Sequence, residues 1–273
     1  MSSRGSAQPD PRPRRPARGT LPADDVRRFR TELRDFLSVT DDRGRAWSDA
    51  QWGVYAFYDY DGEPIYVGQT NERLRTRIRR HLTNQRTDAV AMRILDVFEV
   101  AEVEVFPIWE LEGSPRNSTE ARKRLDALEY SVYLHAIENS RFKAILNEKI
   151  PPVNPRVDLP SSLKRSLIDD ETRAERGHPD IRIARRAETV SRLAAVARER
   201  GEVSDGLRRV LVIQAVRLAY LSAARLAEVE GRAMPDPEAA FNVEALVGSV
   251  LYEHGEDASA SEDDAEADVD EDA

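Results

Sequence analysis

One dipeptide, Asp61-Gly62, constrains the fold of this chain more than any other feature. It lies between two runs rich in β-branched and aromatic residues, 52–60 and 63–69. An Asp-Gly pair in this setting predicts a β-hairpin with a two-residue turn, because both turn residues need positive φ. The sequence therefore predicts two antiparallel strands joined at this point.

The predicted hairpin register brings two tyrosines to one face of the sheet. A two-residue turn places Phe57 opposite Tyr66 and Tyr55 opposite Gly68, and side chains alternate along a strand. Tyr55 and Tyr66 are then diagonal neighbours, roughly 7–8 Å apart at the backbone. Gly68 leaves space above the sheet for their rings. Tyrosine is common in strands, so the pair alone fits ordinary strand packing better than a site.

An arginine-rich helix of about three turns follows the hairpin and a short polar turn. Leu74, Ile78 and Leu82 form its apolar stripe. Arg77 and His81 are four residues apart and therefore neighbours on the helix surface. One hairpin-helix unit thus supplies two phenols, a guanidinium and an imidazole.

These residues together resemble the GIY-YIG nuclease superfamily over about residues 50–155. The two short strand motifs are present as Gly-Val-Tyr (53–55) and Tyr-Val-Gly (66–68). The family's arginine and histidine match Arg77 and His81, and its glutamate on a later helix matches Glu129. Its closing asparagine matches Asn154 in "IPPVN", and Asn147 in "ILNEK" is an alternative for that position.

The resemblance implies a metal-dependent DNA endonuclease that uses a tyrosine as general base. Tyr66 is the first choice for the base and Tyr55 for binding phosphate or water, although the sequence leaves their roles open. A free tyrosine has a pKa of about 10, so it needs nearby positive charge to act near pH 7. Glu129 would hold Mg²⁺ or Mn²⁺, and one carboxylate suffices because Mg²⁺ keeps several water ligands.

Each of these side chains also has a simpler interpretation. Glu129 falls inside an apolar helix stripe, where a salt bridge would also satisfy it. His81 either accepts a proton from a tyrosine or orients water, or it lies at the edge of the core. Arg77 can donate a bidentate pair of hydrogen bonds to phosphate. Asn154 is expected to act as a clamp through hydrogen bonds. Three further residues are predicted to contact the nucleic-acid backbone: Arg73, Arg80 and Gly68.

The charge is unevenly distributed along the 273 residues. The net charge is −9, but residues 253–273 carry eleven acidic side chains and no lysine or arginine, which leaves +2 for the rest. Residues 73–93 hold seven arginines and one aspartate, so a phosphate-binding patch is compatible with the acidic total. The acidic tail either covers this patch or only increases solubility.

Composition excludes several classes of function. The chain has no cysteine, which rules out disulfides, thiolate zinc sites and cysteine nucleophiles. No uninterrupted apolar run approaches the ~18 residues that predict a membrane span, and the N-terminus lacks the apolar core of a signal peptide. We therefore expect a cytoplasmic protein without a membrane association.

The remaining pattern predicts an α+β fold. A helix at 88–98, a third strand in "AEVEVFPIW" and a long helix from Ser118 or Thr119 to about Ala136 complete a small antiparallel three-stranded sheet flanked by helices. An all-α C-terminal domain follows. Its helices could bind DNA, form a homodimer or pack as an accessory bundle. The alternative function is a non-cleaving nucleic-acid-binding or protein-interaction module.

Composition shifts predict six segments. They are a disordered basic arm (1–20), a helix with a connection (21–49), the nuclease-like domain (50–158), a linker (159–179), a helical accessory domain (180–252) and a disordered acidic tail (253–273).

Overall fold

The computed structural model describes residues 23–83 and 96–252. The strands are β1 (Gly53–Tyr58), β2 (Pro64–Thr70), β3 (Glu102–Pro107) and β4 (Leu163–Ser166). The helices are α1 (Asp24–Leu37), α2 (Leu74–Thr83), α3 (Thr119–Asn139), α4 (Asp170–Arg176), α5 (Pro179–Arg200), α6 (Asp205–Val229), α7 (Pro237–Ala240) and α8 (Val243–Val247). Short 3₁₀ turns lie at Trp47–Asp49, Val97–Glu99 and Trp109–Leu111. The basic arm, the acidic tail and most of the helix predicted at 88–98 lie outside the described residues.

The sheet is antiparallel, as predicted, but it has four strands in the order β2-β1-β3-β4. The prediction of three strands was wrong because β4 lies in the segment predicted as a linker. It pairs with β3 so that Leu163 faces Val105. Three of its four residues are exposed, so a polar edge strand of this kind has no alternating pattern to reveal it.

The hairpin has the predicted register in its strands but a different turn. Phe57 faces Tyr66 and Tyr55 faces Gly68, as expected. The register shifts by one residue after Phe57, so the loop contains three residues and not two.

The three-residue loop follows from the conformation of one glycine. Among the described residues of this loop, only Gly62 has a positive φ, at 75°. This conformation suits a type I turn followed by a left-handed residue. The N–H of Asp59 donates to the carbonyl of Glu63 at 2.9 Å and closes the loop. The Asp59 carboxylate in turn accepts from the N–H groups of Asp61 and Glu63, at 2.9 and 3.0 Å. Asp59, and not an Asp-Gly pair of left-handed residues, therefore shapes the turn.

The helix α3 begins where the sequence predicts. The hydroxyl of Ser118 accepts from the N–H of Ala121 at 3.3 Å and caps the first turn. Its apolar face packs on β1 and β2, and this packing fixes the position of Glu129 in the fourth turn.

A buried ionic network joins the hairpin to α5. Asp59 is 2% exposed, and its carboxylate lies 2.6 Å from Arg186 and 3.2 Å from Arg182. Glu99 lies 2.7 Å from Arg185 and 3.3 Å from Arg186. Burial raises the pKa of Asp59, but Arg186 and Arg182 outweigh burial and hold that pKa below its ordinary value. The carboxylate of Asp59 is therefore charged in the folded protein.

A second buried arginine joins α6 to the start of β2. Arg217 is 2% exposed and donates to the carbonyls of Pro64 and Ala144 at 3.0 and 2.9 Å. Burial lowers the pKa of Arg217 to about 10, so it stays charged at neutral pH. The C-terminal helices thus contact the hairpin of the sheet through buried charges.

The helix α6 is long and apolar enough to cross a membrane by length and composition, and 44% of its most apolar window is buried. The buried core helix of a soluble protein meets the same criterion. The expectation of no such segment came from counting uninterrupted apolar runs. In this structure α6 packs along α5.

We predict that Arg186→Met lowers the free energy of unfolding by about 3–5 kcal/mol, because it leaves buried carboxylates with too few partners. The matched control is Arg192→Met on the same helix, where the exposed pair with Glu188 should contribute less than about 1 kcal/mol. Urea unfolding of both variants measures the difference. Equal losses would show that the network contributes no more than a surface pair.

Candidate active site

Three aromatic side chains converge on the face of the hairpin that the sequence predicted. The hydroxyl of Tyr55 lies 3.1 Å from Nε2 of His81. The ring centroids of Tyr55, Tyr66 and His81 are 5.6–6.1 Å apart from one another. Tyr55 is fully buried, whereas Tyr66 is partly exposed, so Tyr66 is the more accessible of the two tyrosines.

Gly68 is required by the close approach of these rings. A Cβ at this position would lie 2.7 Å from the hydroxyl of Tyr55 and 2.7 Å from Cε1 of Tyr66. No real Cβ contact is that short, so any side chain at 68 would displace both tyrosines. The packing of the two phenol rings therefore explains why residue 68 is a glycine, without any contact to nucleic acid.

The ionisation of these groups is set mainly by burial. Burial first, and then the charges of Arg77 and Arg80, lower the pKa of His81 to about 4, so the imidazole is neutral near pH 7. Burial also raises the pKa of Tyr55 well above its ordinary value and raises that of Tyr66. The positive charge of Arg77 acts in the opposite direction on both phenols.

Arg77 is an arginine of α2 whose side chain hydrogen-bonds to Tyr55. Its Nε, like that of Arg75, is buried and has no hydrogen-bond partner within residues 23–83 and 96–252, but Arg75 pairs with Asp49 at 2.7 Å. Arg80, predicted to bind nucleic acid, forms a two-point ion pair with Glu72 at 2.8 and 3.1 Å. Arg73 is 66% exposed and lies 4.0 Å from Asp49. Arg77 is thus the arginine whose charge is directed at the tyrosines, while Arg73 remains accessible for a backbone contact.

The outer edge of β2 explains the position of Glu129. The backbone groups of residues 65, 67 and 69 point away from β1, because alternate residues of an antiparallel strand face the same side. The carbonyl of Ile65 accepts from the N–H of Leu146 at 3.2 Å, and Val67 is bound by Asn147. The backbone amide of Gln69 comes next and lowers the pKa of Glu129. Glu129 therefore contacts the outer edge of β2 at Gln69, three residues after Tyr66.

The carboxyl of Glu129 is partly buried and lies in an acidic surrounding. Burial first, and then the charge of Asp126, raise its pKa to about 8, while Arg77 and the Gln69 amide act against this rise. Within the described part of the chain, no ion pair within 4 Å involves Glu129. The salt bridge considered from the sequence is therefore not formed.

The two candidate asparagines differ sharply in their contacts. Asn147 is 5% exposed; its Oδ1 accepts from the N–H of Val67 at 2.9 Å and its Nδ2 donates to the Val67 carbonyl at 2.7 Å. Asn154 donates to the carbonyl of Pro152 at 2.9 Å. The structure thus brings Asn147, and not Asn154, to the Tyr-Val-Gly strand. The proline-containing turn misled the sequence prediction, since the clamp comes seven residues earlier.

The residues at this edge fit a divalent cation. Mg²⁺ and Mn²⁺ prefer oxygen ligands and need only one or two carboxylates. Glu129 supplies a carboxylate that forms no ion pair within residues 23–83 and 96–252, near the partly exposed Tyr66. Among the described residues there is no group of three or more histidine, aspartate or glutamate side chains that could hold a metal, so any site here must take most of its ligands from water and substrate.

Comparison with known families supports the resemblance noted in the sequence. Residues 51–130 match the family model described as the GIY-YIG catalytic domain. This segment carries a GIY-YIG domain. The match contains β1, β2, α2, β3 and α3 as far as Glu129, and therefore every site residue named above except the asparagines. No curated protein and no solved structure matches the chain.

We predict that His81 destabilises the folded protein in acid. The unfolded imidazole takes up a proton near pH 6.5 and the folded one only near pH 4. Between these values the unfolded state binds more protons at this group, which removes about 2 kcal/mol of stability from pH 7 to pH 5. The raised pKa of Glu129, about 8, acts in the opposite direction over the same range, so the test is the difference between wild type and variant. In urea unfolding at both pH values, wild type should lose about 2 kcal/mol relative to His81→Gln. The exposed His135 serves as the control, and an equal effect of His135→Gln would contradict the assignment.

We further predict that Asn147→Ala costs about 2–4 kcal/mol of stability, because it leaves two buried backbone groups of Val67 unpaired. Asn154→Ala should change stability by less than about 0.5 kcal/mol. Thermal and urea unfolding of the two variants give the comparison. A larger loss for Asn154→Ala would return the clamp to the proline-containing turn.

Proposed function

We propose that this protein is a metal-dependent DNA endonuclease that hydrolyses phosphodiester bonds. The observation that carries the proposal is the convergence of Tyr55, Tyr66, His81, Arg77 and Glu129 at one end of the hairpin, inside a GIY-YIG domain. Ordinary strand packing explains two neighbouring tyrosines, but it does not explain why a guanidinium hydrogen-bonds to Tyr55 near a carboxylate that forms no ion pair with any described residue.

Tyr66 is the general base in this proposal. Its side chain is less buried than that of Tyr55. Burial raises its pKa, and the hydrogen bond from the hydroxyl of Tyr55 acts against this rise. With its proton on Nε2, the neutral imidazole of His81 donates to Tyr55, and Tyr55 donates to Tyr66. This chain of donors favours the phenolate form of Tyr66, which then takes a proton from the attacking water.

Arg77 and Glu129 stabilise the charge that develops during hydrolysis. The guanidinium of Arg77 is positioned beside both phenols and can bind the non-bridging oxygens of the scissile phosphate. Glu129 would hold Mg²⁺ or Mn²⁺, which supplies positive charge to the phosphate and the leaving oxygen when it is bound. Asn147 keeps β2 in place through Val67, so that Tyr66 and the Gln69 amide stay aligned with Glu129.

The substrate follows from the surface around the site. Arg73 and Arg79 are exposed on α2, and further exposed basic side chains lie in the first turns of α3: Arg122, Lys123 and Arg124. These groups can neutralise backbone phosphates on either side of the scissile bond. We propose duplex or branched DNA as the substrate, because this surface offers charge without a motif for reading bases.

The test is cleavage of supercoiled plasmid with Mg²⁺ or Mn²⁺. Glu129→Gln and Tyr66→Phe should each lower the rate at least about 1,000-fold, since each removes a group with no substitute in the site. DNA affinity, measured by anisotropy in EDTA, should stay within about threefold. Tyr55→Phe should cost less than Tyr66→Phe, because Tyr55 acts through its neighbour.

The control for charge is Glu120→Gln, an exposed glutamate on the same helix, which should cleave at the wild-type rate. If wild-type protein binds DNA but never cleaves it, the chain is a binding module on the same fold. Cleavage by Glu129→Gln at the wild-type rate would remove Glu129 from the metal site.

A further inference from the structure

A second carboxylate, Asp126, lies one helical turn before Glu129 on α3. Residues three apart on a helix are neighbours. Oδ1 of Asp126 accepts from Nε2 of Gln69 at 2.9 Å. Gln69 also presents its backbone amide to Glu129. One residue of β2 therefore contacts both carboxylates of α3.

The other end of the Gln69 amide has no partner. Its Oε1 is buried and accepts no hydrogen bond from any described residue. A buried amide oxygen without a donor is costly, because it loses its hydrogen bond to water and gains nothing. The amide is held in this orientation because Nε2 must face Asp126. This orientation leaves Oε1 of Gln69 without a hydrogen-bond donor, close to two acidic side chains.

Asp126 resembles Glu129 in lacking a cation. Ion pairs are numerous in this protein, and nearby acids such as Glu72 and Asp49 have arginine partners. Within residues 23–83 and 96–252, neither Asp126 nor Glu129 lies within 4 Å of a basic nitrogen, although α3 carries three exposed basic side chains in its first two turns. Two adjacent carboxylates and a free amide oxygen form the environment that a hard cation stabilises.

We propose that Asp126 and Gln69 complete the divalent-cation site of Glu129, with Asp126 as its second carboxylate and Oε1 of Gln69 as a further oxygen. The inference rests on the proposed metal-dependent function. It assigns the cation a place between α3 and the outer edge of β2. Gln69 acts as a positioning residue as well, because its Nε2 fixes the rotamer of Asp126.

The experiment measures cation binding directly. Isothermal titration with Mn²⁺ on the full-length protein gives the dissociation constant without DNA. Asp126→Asn keeps the acceptor for Gln69 but removes the charge, and it should weaken Mn²⁺ binding about 10–100-fold. Asp126→Glu should recover part of the affinity. The control Glu120→Gln removes an equal charge from the same helix and should change binding less than about twofold.

Gln69→Leu tests the amide separately. It should weaken Mn²⁺ binding, and the double variant with Asp126→Asn should lose less than the sum of the single changes, since Gln69 acts partly through Asp126. In the plasmid assay, Asp126→Asn should raise the Mn²⁺ concentration for half-maximal cleavage by the same factor. At saturating Mn²⁺ its rate should approach that of wild type. A purely structural role would lower the melting temperature and would leave this metal dependence unchanged.

The outcomes separate the two proposals. If wild-type protein binds Mn²⁺ and Glu129→Gln does not, while Asp126→Asn binds as wild type does, only the role of Asp126 is overturned. If wild-type protein neither binds Mn²⁺ nor cleaves DNA with it, the proposed function fails and this inference fails with it.

Discussion

The outer edge of β2 is the constraint on which the site depends. An edge strand leaves alternate backbone N–H and C=O groups without a partner strand. In this protein side chains and a loop satisfy them in order, from Leu146 at Ile65, through Asn147 at Val67, to Glu129 at Gln69. The contacts that satisfy this edge therefore also position the carboxylate of Glu129. A shift of β2 by one residue would turn Tyr66 to the other face and separate Glu129 from its backbone contact.

Different interactions hold the two ends of the hairpin that carries the tyrosines. At the site end, ring packing around Gly68 sets the spacing of the phenols. At the turn end, Asp59 is bound by two arginines of α5 inside a nearly dry network. A buried ion pair is weak evidence for net stability, because desolvation offsets much of the attraction. Its directional bonds do fix orientation, and here they fix the hairpin against α5, so that 180–252 is not a free accessory unit in this structure.

The sequence could predict most of the site because the site is local. Tyr55, Tyr66, Arg77 and His81 come from one hairpin-helix unit, where strand alternation and helix periodicity decide which side chains meet. Even there, the turn was predicted with two residues, since the sequence does not show that the Asp59 carboxylate would organise a third. Asn147 was a second choice, because the sequence shows no edge for it to bind.

What could not be predicted depends on contacts between distant segments. In the sequence of α5, the alanines and valines from Ala187 onward are the obvious candidates for its buried face. The structure buries Arg182 and Arg186 in line with Thr189, Leu193 and Val196. From the sequence alone, Arg182 and Arg186 would be assigned to the solvent-exposed face. Their burial depends on Asp59 and Glu99, which lie opposite them in the fold. The strand β4 was missed for a related reason, since its polar residues owe their conformation to pairing with β3.

The electrostatics of the site conflict with the stability of the fold. Burial raises the pKa of both phenols and of Glu129 and lowers that of His81, so each group is held in the form that a dry interior favours. Ionising Glu129 and Tyr66 in this environment costs free energy that neutral side chains of the same shape would not cost. Arg77 offsets only part of that cost, because it is one positive charge beside several acidic groups. Such a balance is typical of a site kept for function. In the proposed function, a phosphate-bound cation at the edge between Tyr66 and Glu129 would supply the remaining positive charge.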